Sequence, residues 1–110
     1  MRITERESDV LAACLQYLNL VGVFAWRQNQ GAIPLKDGGY RRFVGLRGVA
    51  DILGIVPRRG SLLAVEVKRP GQRPRPEQAA FLKRVNALGG VALCVHSVRE
   101  LEDGLRPFLP

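Results

Sequence analysis

The sequence predicts a single α/β domain, a mixed β-sheet flanked by helices, on three observations. Apolar residues recur at helical spacing near both ends and once in between. Short runs of β-favouring residues separate these segments, and 110 residues suit one hydrophobic core but not two.

The first helix is expected to begin near Thr4. Thr4-Glu5-Arg6-Glu7 fits a capping box, and Val10, Leu11, Cys14, Leu15, Leu18 and Val21 share a face before Gly22 ends the helix. A β run, Val23 to Arg27, follows. The glycine-rich stretch from Gln28 to Gly48 reads as a mobile loop with one strand around Arg42 to Leu46. Two further β runs, Ala50 to Val56 and Leu62 to Lys68, are joined by Pro57-Arg58-Arg59-Gly60, a hairpin turn, so they are antiparallel neighbours.

Pro70 and Pro74 take the chain out of the sheet. Pro76 suits the first position of a helix continuing through Leu88, with Ala79, Leu82, Val85 and Leu88 at helical spacing and Gly89-Gly90 as the stop. Val91 to His96 is a buried strand, parallel to Leu62 to Lys68 because a helix connects them. A last helix starts at Ser97, which has capping-box spacing to Glu100. The order is α-β-(β)-β-β-α-β-α.

Lys and Arg number 17 against 10 Asp and Glu, a formal charge of +7 that favours polyanions: nucleic acid first, an anionic membrane surface second. The two cysteines, Cys14 and Cys94, lie in apolar runs and read as core residues of a cytoplasmic, reducing compartment. No apolar stretch is long enough to cross a bilayer, and no secretory signal is visible. With one histidine, a multi-histidine metal site is excluded, so any metal would be a hard ion held by carboxylates.

Alternation along Leu62 to Lys68 puts Leu62, Ala64, Glu66 and Lys68 on one side and Leu63, Val65 and Val67 on the other. Glu66 and Lys68 alone would be an ordinary strand-end ion pair. The hairpin, however, brings Asp51 opposite Glu66, and two adjacent carboxylates repel unless a cation lies between them or one is protonated. Glu7 shares the inward face of the first helix with Leu11, Cys14 and Leu18, whereas Glu5 points away; Glu7 also fits the capping box. Gln78 shares a face with Leu82 and Val85, or is simply a polar residue of the first turn. The pairs Arg41-Arg42 and Arg58-Arg59 read as solvated turns and His96 as the end of a strand; Trp26 and Phe43 could stack on a base, with core packing the favoured reading for Trp26.

Asp51, 14 intervening residues, Glu66-Val67-Lys68 and then Gln78 resemble the PD-(D/E)xK nuclease superfamily, and within it the virus-type replication-repair nuclease branch, VRR-NUC. Glu7, Trp26-Arg27-Gln28-Asn29-Gln30-Gly31, Gly48 to Gly54, Val65 to Pro70 and Pro76-Glu77-Gln78 carry the likeness. It runs from about residue 5 to 96, with Ala50 where the superfamily's name has proline.

The resemblance implies a restriction-endonuclease-like α-β-β-β-α-β core and one nuclease domain over residues 1–110. It implies a Mg²⁺- or Mn²⁺-dependent DNA endonuclease with no nucleotide cofactor. Asp51, Glu66 and the Val67 carbonyl would hold the ion, and Glu7 would join them directly or through water. Lys68 would orient or deprotonate the attacking water, and Gln78 would position Lys68 or that water. Arg27, Asn29 and Gln30, with the flanking Arg69, Arg73 and Arg75, would contact the DNA backbone.

Stand-alone members of the branch resemble junction resolvases, implying a homodimer acting on branched DNA such as four-way junctions, with residues 32–47 serving dimer exchange or DNA clamping. A non-catalytic basic nucleic-acid-binding module of the same fold is the chief alternative. A sequence-reading restriction enzyme ranks lower, since no recognition element is evident.

Overall fold

The computed structural model describes residues 6–28, 32–42 and 46–110. Along the chain run α1 (Glu7–Leu20), β1 (Phe24–Arg27), β2 (Ala32–Pro34), β3 (Tyr40–Arg42), β4 (Ile52–Ile55), β5 (Leu62–Val67), α2 (Pro76–Ala87), β6 (Val91–Val95) and α3 (Val98–Leu105), closed by a 3₁₀ turn at Arg106–Phe108. The main sheet has the order β1-β4-β5-β6. Strands β1, β4 and β5 pair antiparallel, and β6 joins β5 in parallel through the α2 crossover.

Period-two alternation divides the core between the two faces of this sheet. Leu63, Val65 and Val67 of β5, with Ile52 and Val95, pack against Val10, Leu11, Cys14 and Leu18 of α1 and Leu101 and Leu105 of α3. Ala64 and Ala92 lie on the opposite face, under Leu82 and Val85 of α2. The small residues beneath α2 let that helix approach the sheet closely. Burying side chains such as Leu63 and Val65 stabilises the fold by roughly 1.5–3 kcal/mol each.

Helix α2 does not reach β1. Phe24 and Trp26 therefore remain exposed on its side of the sheet, their ring centroids 5.4 Å apart, beside exposed Ile55 and Leu62. This corrects the expectation that Trp26 packs in the core: it is 38% exposed because its strand is an edge with no helix above it.

Two further expectations change. Helix α1 starts at Glu7, with Arg6 as an N-cap that makes no side-chain bond, so Glu7 is the first helical residue and not the acid of a capping box. Thr4 and Glu5 lie outside the described residues. The stretch from Gln28 to Gly48 contains a separate two-stranded sheet in which Ala32 pairs with Arg42 and Pro34 with Tyr40. Strand β3 is Tyr40–Arg42, and most of the strand expected around Arg42 to Leu46 lies at residues 43–45, outside the described residues.

The expected third-helix cap is present: Ser97 Oγ accepts the Glu100 N–H at 3.1 Å. Both cysteines are free, and burial pushes the Cys14 thiol up to about 11, as suits a core residue. No helix among the described residues is long and apolar enough to cross a membrane.

Candidate active site

Strands β4 and β5 bring the acids together. Ile52 pairs with Val65, so the next positions outward are Asp51 and Glu66. Asp51 Oδ2 accepts the Val67 N–H at 2.8 Å, tying the aspartate to the end of β5. On the other side of β5, the Lys68 N–H donates to the Val95 carbonyl at 3.0 Å. Backbone groups alternate sides along a strand, so the Val67 carbonyl points with its own N–H toward Asp51. The edge between β4 and β5 therefore presents a carboxylate and a main-chain carbonyl side by side.

Glu66 is 1% exposed. Its Oε1 accepts from Gln78 Nε2 at 3.0 Å and has Lys68 Nζ at 3.8 Å, whereas Oε2 is buried with no hydrogen-bond partner. Burial above all, then the Asp51 charge and a carboxyl contact with Asp51, pushes Glu66 up to about 8; Lys68 pulls it down and Glu7 adds slightly to the rise. Two carboxyl groups in contact form a hydrogen bond only when one holds a proton. A cation held between Asp51 and Glu66 would relieve their repulsion without a proton.

The residues fit a hard divalent ion. Two carboxylates, one of them with an orphaned oxygen, and a main-chain carbonyl are oxygen donors of the kind Mg²⁺ takes, leaving its remaining positions to water and substrate. Among the described residues no group of three or more His, Cys, Asp or Glu side chains is gathered to hold a metal.

The expected residues fall into two groups. Asp51, Glu66, Val67, Lys68 and Gln78 converge at one end of the sheet. Glu7 is half-buried on α1, which covers the opposite face from Glu66, and acts on Glu66 by its charge. Arg27 is exposed at the end of β1, paired with Ile52, and its neighbour Gln28 donates its N–H to the Asp51 carbonyl at 2.7 Å. Arg69, Arg73 and Arg75 are exposed on the segment leaving β5. Asn29 and Gln30 lie outside the described residues.

Gln78 does more than its helical position suggested. Its Oε1 accepts the Arg75 N–H at 2.9 Å while its Nε2 holds Glu66, so one amide caps α2 and orients the acid. Gly48 was given no role by sequence reasoning. Its φ is +74°, and a Cβ there would fall 2.2 Å from the Glu77 carbonyl oxygen and 2.9 Å from the Gln78 nitrogen. The signal was present in the glycine three residues before the aspartate, but only the packed structure shows what approaches it.

Gly48→Ala should therefore displace the start of α2 and lower stability by at least about 2 kcal/mol, roughly 8 °C in thermal unfolding. Gly22→Ala is the control: φ is +80° there, with open space around the position, so it carries the backbone strain without the collision. Equal melting temperatures for the two variants would refute the close approach.

The four-stranded mixed sheet flanked by helices is a nuclease-like fold. More particularly, the chain shares its fold with a solved structure described as "VRR_NUC domain": TM-score 0.64 and 24% identity, covering 92% of this chain and 94% of that one. No family model and no curated protein matches the sequence.

Proposed function

We propose that the protein is a metal-dependent DNA endonuclease, hydrolysing phosphodiester bonds in branched DNA such as four-way junctions. One observation carries the reading: a fully buried glutamate with an unpartnered oxygen, pressed against a second carboxylate, inside a domain of net charge +7. A module that merely bound phosphate would gain nothing from this acid pair, which repels the ligand. With a cation between the acids, the repulsion becomes attraction.

Asp51, Glu66 and the Val67 carbonyl would hold Mg²⁺ or Mn²⁺, with Glu7 joining them directly or through water. Such an ion would supply Lewis-acid stabilisation of charge on the phosphate and would make water at the site more acidic. Lys68 stands on the same side of β5 as Glu66 and is largely buried. It orients the attacking water or neutralises charge building on the phosphate. Gln78 keeps Glu66 Oε1 in place, leaving Oε2 as the oxygen that would be available to an ion. Arg27, Asn29 and Gln30, together with Arg69, Arg73 and Arg75, grip the DNA backbone.

The test is cleavage of junction, flap, fork and linear duplex with Mg²⁺ or Mn²⁺, with a Glu66 variant as the blank. Binding without cleavage of any of them would favour the non-catalytic module.

The protein acts as a homodimer in this proposal, because paired incision of a junction needs two centres related by a two-fold axis. The exposed strip of Phe24, Trp26, Ile55 and Leu62 supports an interface between copies. Sedimentation equilibrium should give twice 12.2 kDa. A monomer at the concentrations where junctions are cut would refute this part.

A further inference from the structure

The segment from Lys68 to Arg75 carries three arginines and runs from the end of β5 to the start of α2. It is tied at three places. At its head, the Gln72 N–H donates to the Arg69 carbonyl at 3.0 Å, closing a turn around Gly71. At its tail, the Arg75 N–H is held by Gln78 Oε1. Between them, the Gln72 carbonyl faces His96 Nε2 at 3.0 Å.

The other ring nitrogen, His96 Nδ1, lies 3.0 Å from Glu100 Oε2, which also accepts the His96 main-chain N–H. Glu100 is itself placed by its N–H bond to Ser97 Oγ at the start of α3. The chain of ties thus runs from the capped end of α3 through one imidazole to the middle of the arginine segment.

A carbonyl oxygen and a carboxylate oxygen only accept hydrogen bonds, and a neutral imidazole carries one N–H for two such partners. The imidazolium serves both. When the proton leaves, the charged acceptor keeps the remaining N–H, because a hydrogen bond to a carboxylate is roughly twice as strong as one to a neutral carbonyl. Gln72 is then the partner released.

The charged groups on the elements around the ring are Arg99, Glu100, Glu102 and Asp103 on α3, and Lys68, Arg69, Arg73 and Arg75 along the segment; of these, Glu100 is within hydrogen-bonding distance of the ring. The Gln72 carbonyl above all raises the ring above its ordinary value of 6.5; burial opposes this, and the Glu100 carboxylate adds to the rise.

We propose that His96, as an imidazolium bridging Glu100 and the Gln72 carbonyl, is the positioning residue that docks the arginine segment against α3, so that the segment's grip on DNA phosphates depends on one proton. The identity of the anion rests on the nuclease reading above; the docking itself does not.

Because His96 is the chain's one histidine, its ring resonances report its proton occupancy unambiguously. In the metal-free and DNA-free protein, the NMR titration should give a midpoint above 6.5, and Glu100→Gln should lower it. A midpoint at or below 6.5, or one that Glu100→Gln leaves in place, overturns the bridge.

DNA affinity is then read by fluorescence anisotropy of a labelled junction without divalent metal, at constant ionic strength. The Glu66→Gln background removes the titration of the acid pair. Affinity should fall at least about tenfold as pH rises through the His96 midpoint, the worth of one charge-assisted hydrogen bond. Adding His96→Gln should give weak affinity that no longer varies with pH. If the double variant keeps the pH dependence, His96 does not dock the segment, whatever the protein cleaves. If the junction fails to bind at any pH, the nucleic-acid reading falls and the DNA part of this inference falls with it, while the NMR titration still decides the bridge.

Discussion

Glu66→Gln should reduce metal-dependent cleavage of a branched DNA on the order of 10³-fold, since a bound ion supplies several kcal/mol of transition-state stabilisation and each 1.36 kcal/mol is tenfold in rate. Affinity for the same DNA should stay level or rise, because the substitution removes a negative charge from a cationic surface. The amide keeps the volume of the buried side chain and can donate to the Asp51 carboxylate that Glu66 now opposes. The metal-free variant should therefore unfold no earlier than the wild type at pH 8.

A purely structural Glu66 would behave otherwise, losing stability and activity together. Rates on a labelled junction, anisotropy and thermal unfolding of the same two samples decide between these outcomes. Cleavage by Glu66→Gln at the wild-type rate would remove the assigned centre.

The second large effect is a linkage between pH, metal and stability. Glu66 is held at about 8 in the fold, against its ordinary value of 4.5, so between these limits the folded protein binds more protons than the unfolded chain. Stability from this group is fully present below pH 4.5 and is lost as pH rises through about 8. The metal-free protein should accordingly melt at falling temperatures from pH 5 to pH 8.5.

His96, also raised, contributes in the same direction, so Glu66→Gln is needed to isolate the carboxyl part. Mn²⁺ or Mg²⁺ should bind more tightly as pH rises toward 8 and should displace close to one proton per ion at pH 7. Calorimetry in two buffers of different ionisation enthalpy measures that proton directly. An ion that binds with no proton release, or equally well at pH 6 and pH 8, would not be occupying the space between Asp51 and Glu66.

Much of this architecture was legible before folding. The hairpin of β4 and β5, the parallel β6 and the Pro76 start of α2 follow from turn residues, proline positions and apolar spacing, all of which act over a few residues. The side of β5 on which Glu66 and Lys68 stand follows from strict alternation. Asp51 opposite Glu66 follows from the short turn between their strands.

What was not legible depends on contacts between distant elements. Thr4-Glu5-Arg6-Glu7 has the spacing of a cap, yet the helix begins at Glu7, because local propensity sets where a helix can start and packing sets where it does. Trp26 looked like core because an aromatic in a β run is usually covered; whether a strand lies at an edge depends on sheet order. His96 read as a strand end, and its two acceptors come from residues 24 positions before it and four after it.

The sequence by itself determined the order of elements, the alternation that separates acids from core, and the surplus of positive charge, since these depend on chain-local stereochemistry and on composition. Only the tertiary structure decided that Glu66 is sealed from water with one oxygen unpartnered, that one glutamine both caps α2 and orients the acid, and that Glu7 approaches from the opposite face. Desolvation and electrostatic repulsion depend on what surrounds a group in space, and no spacing along the chain states that.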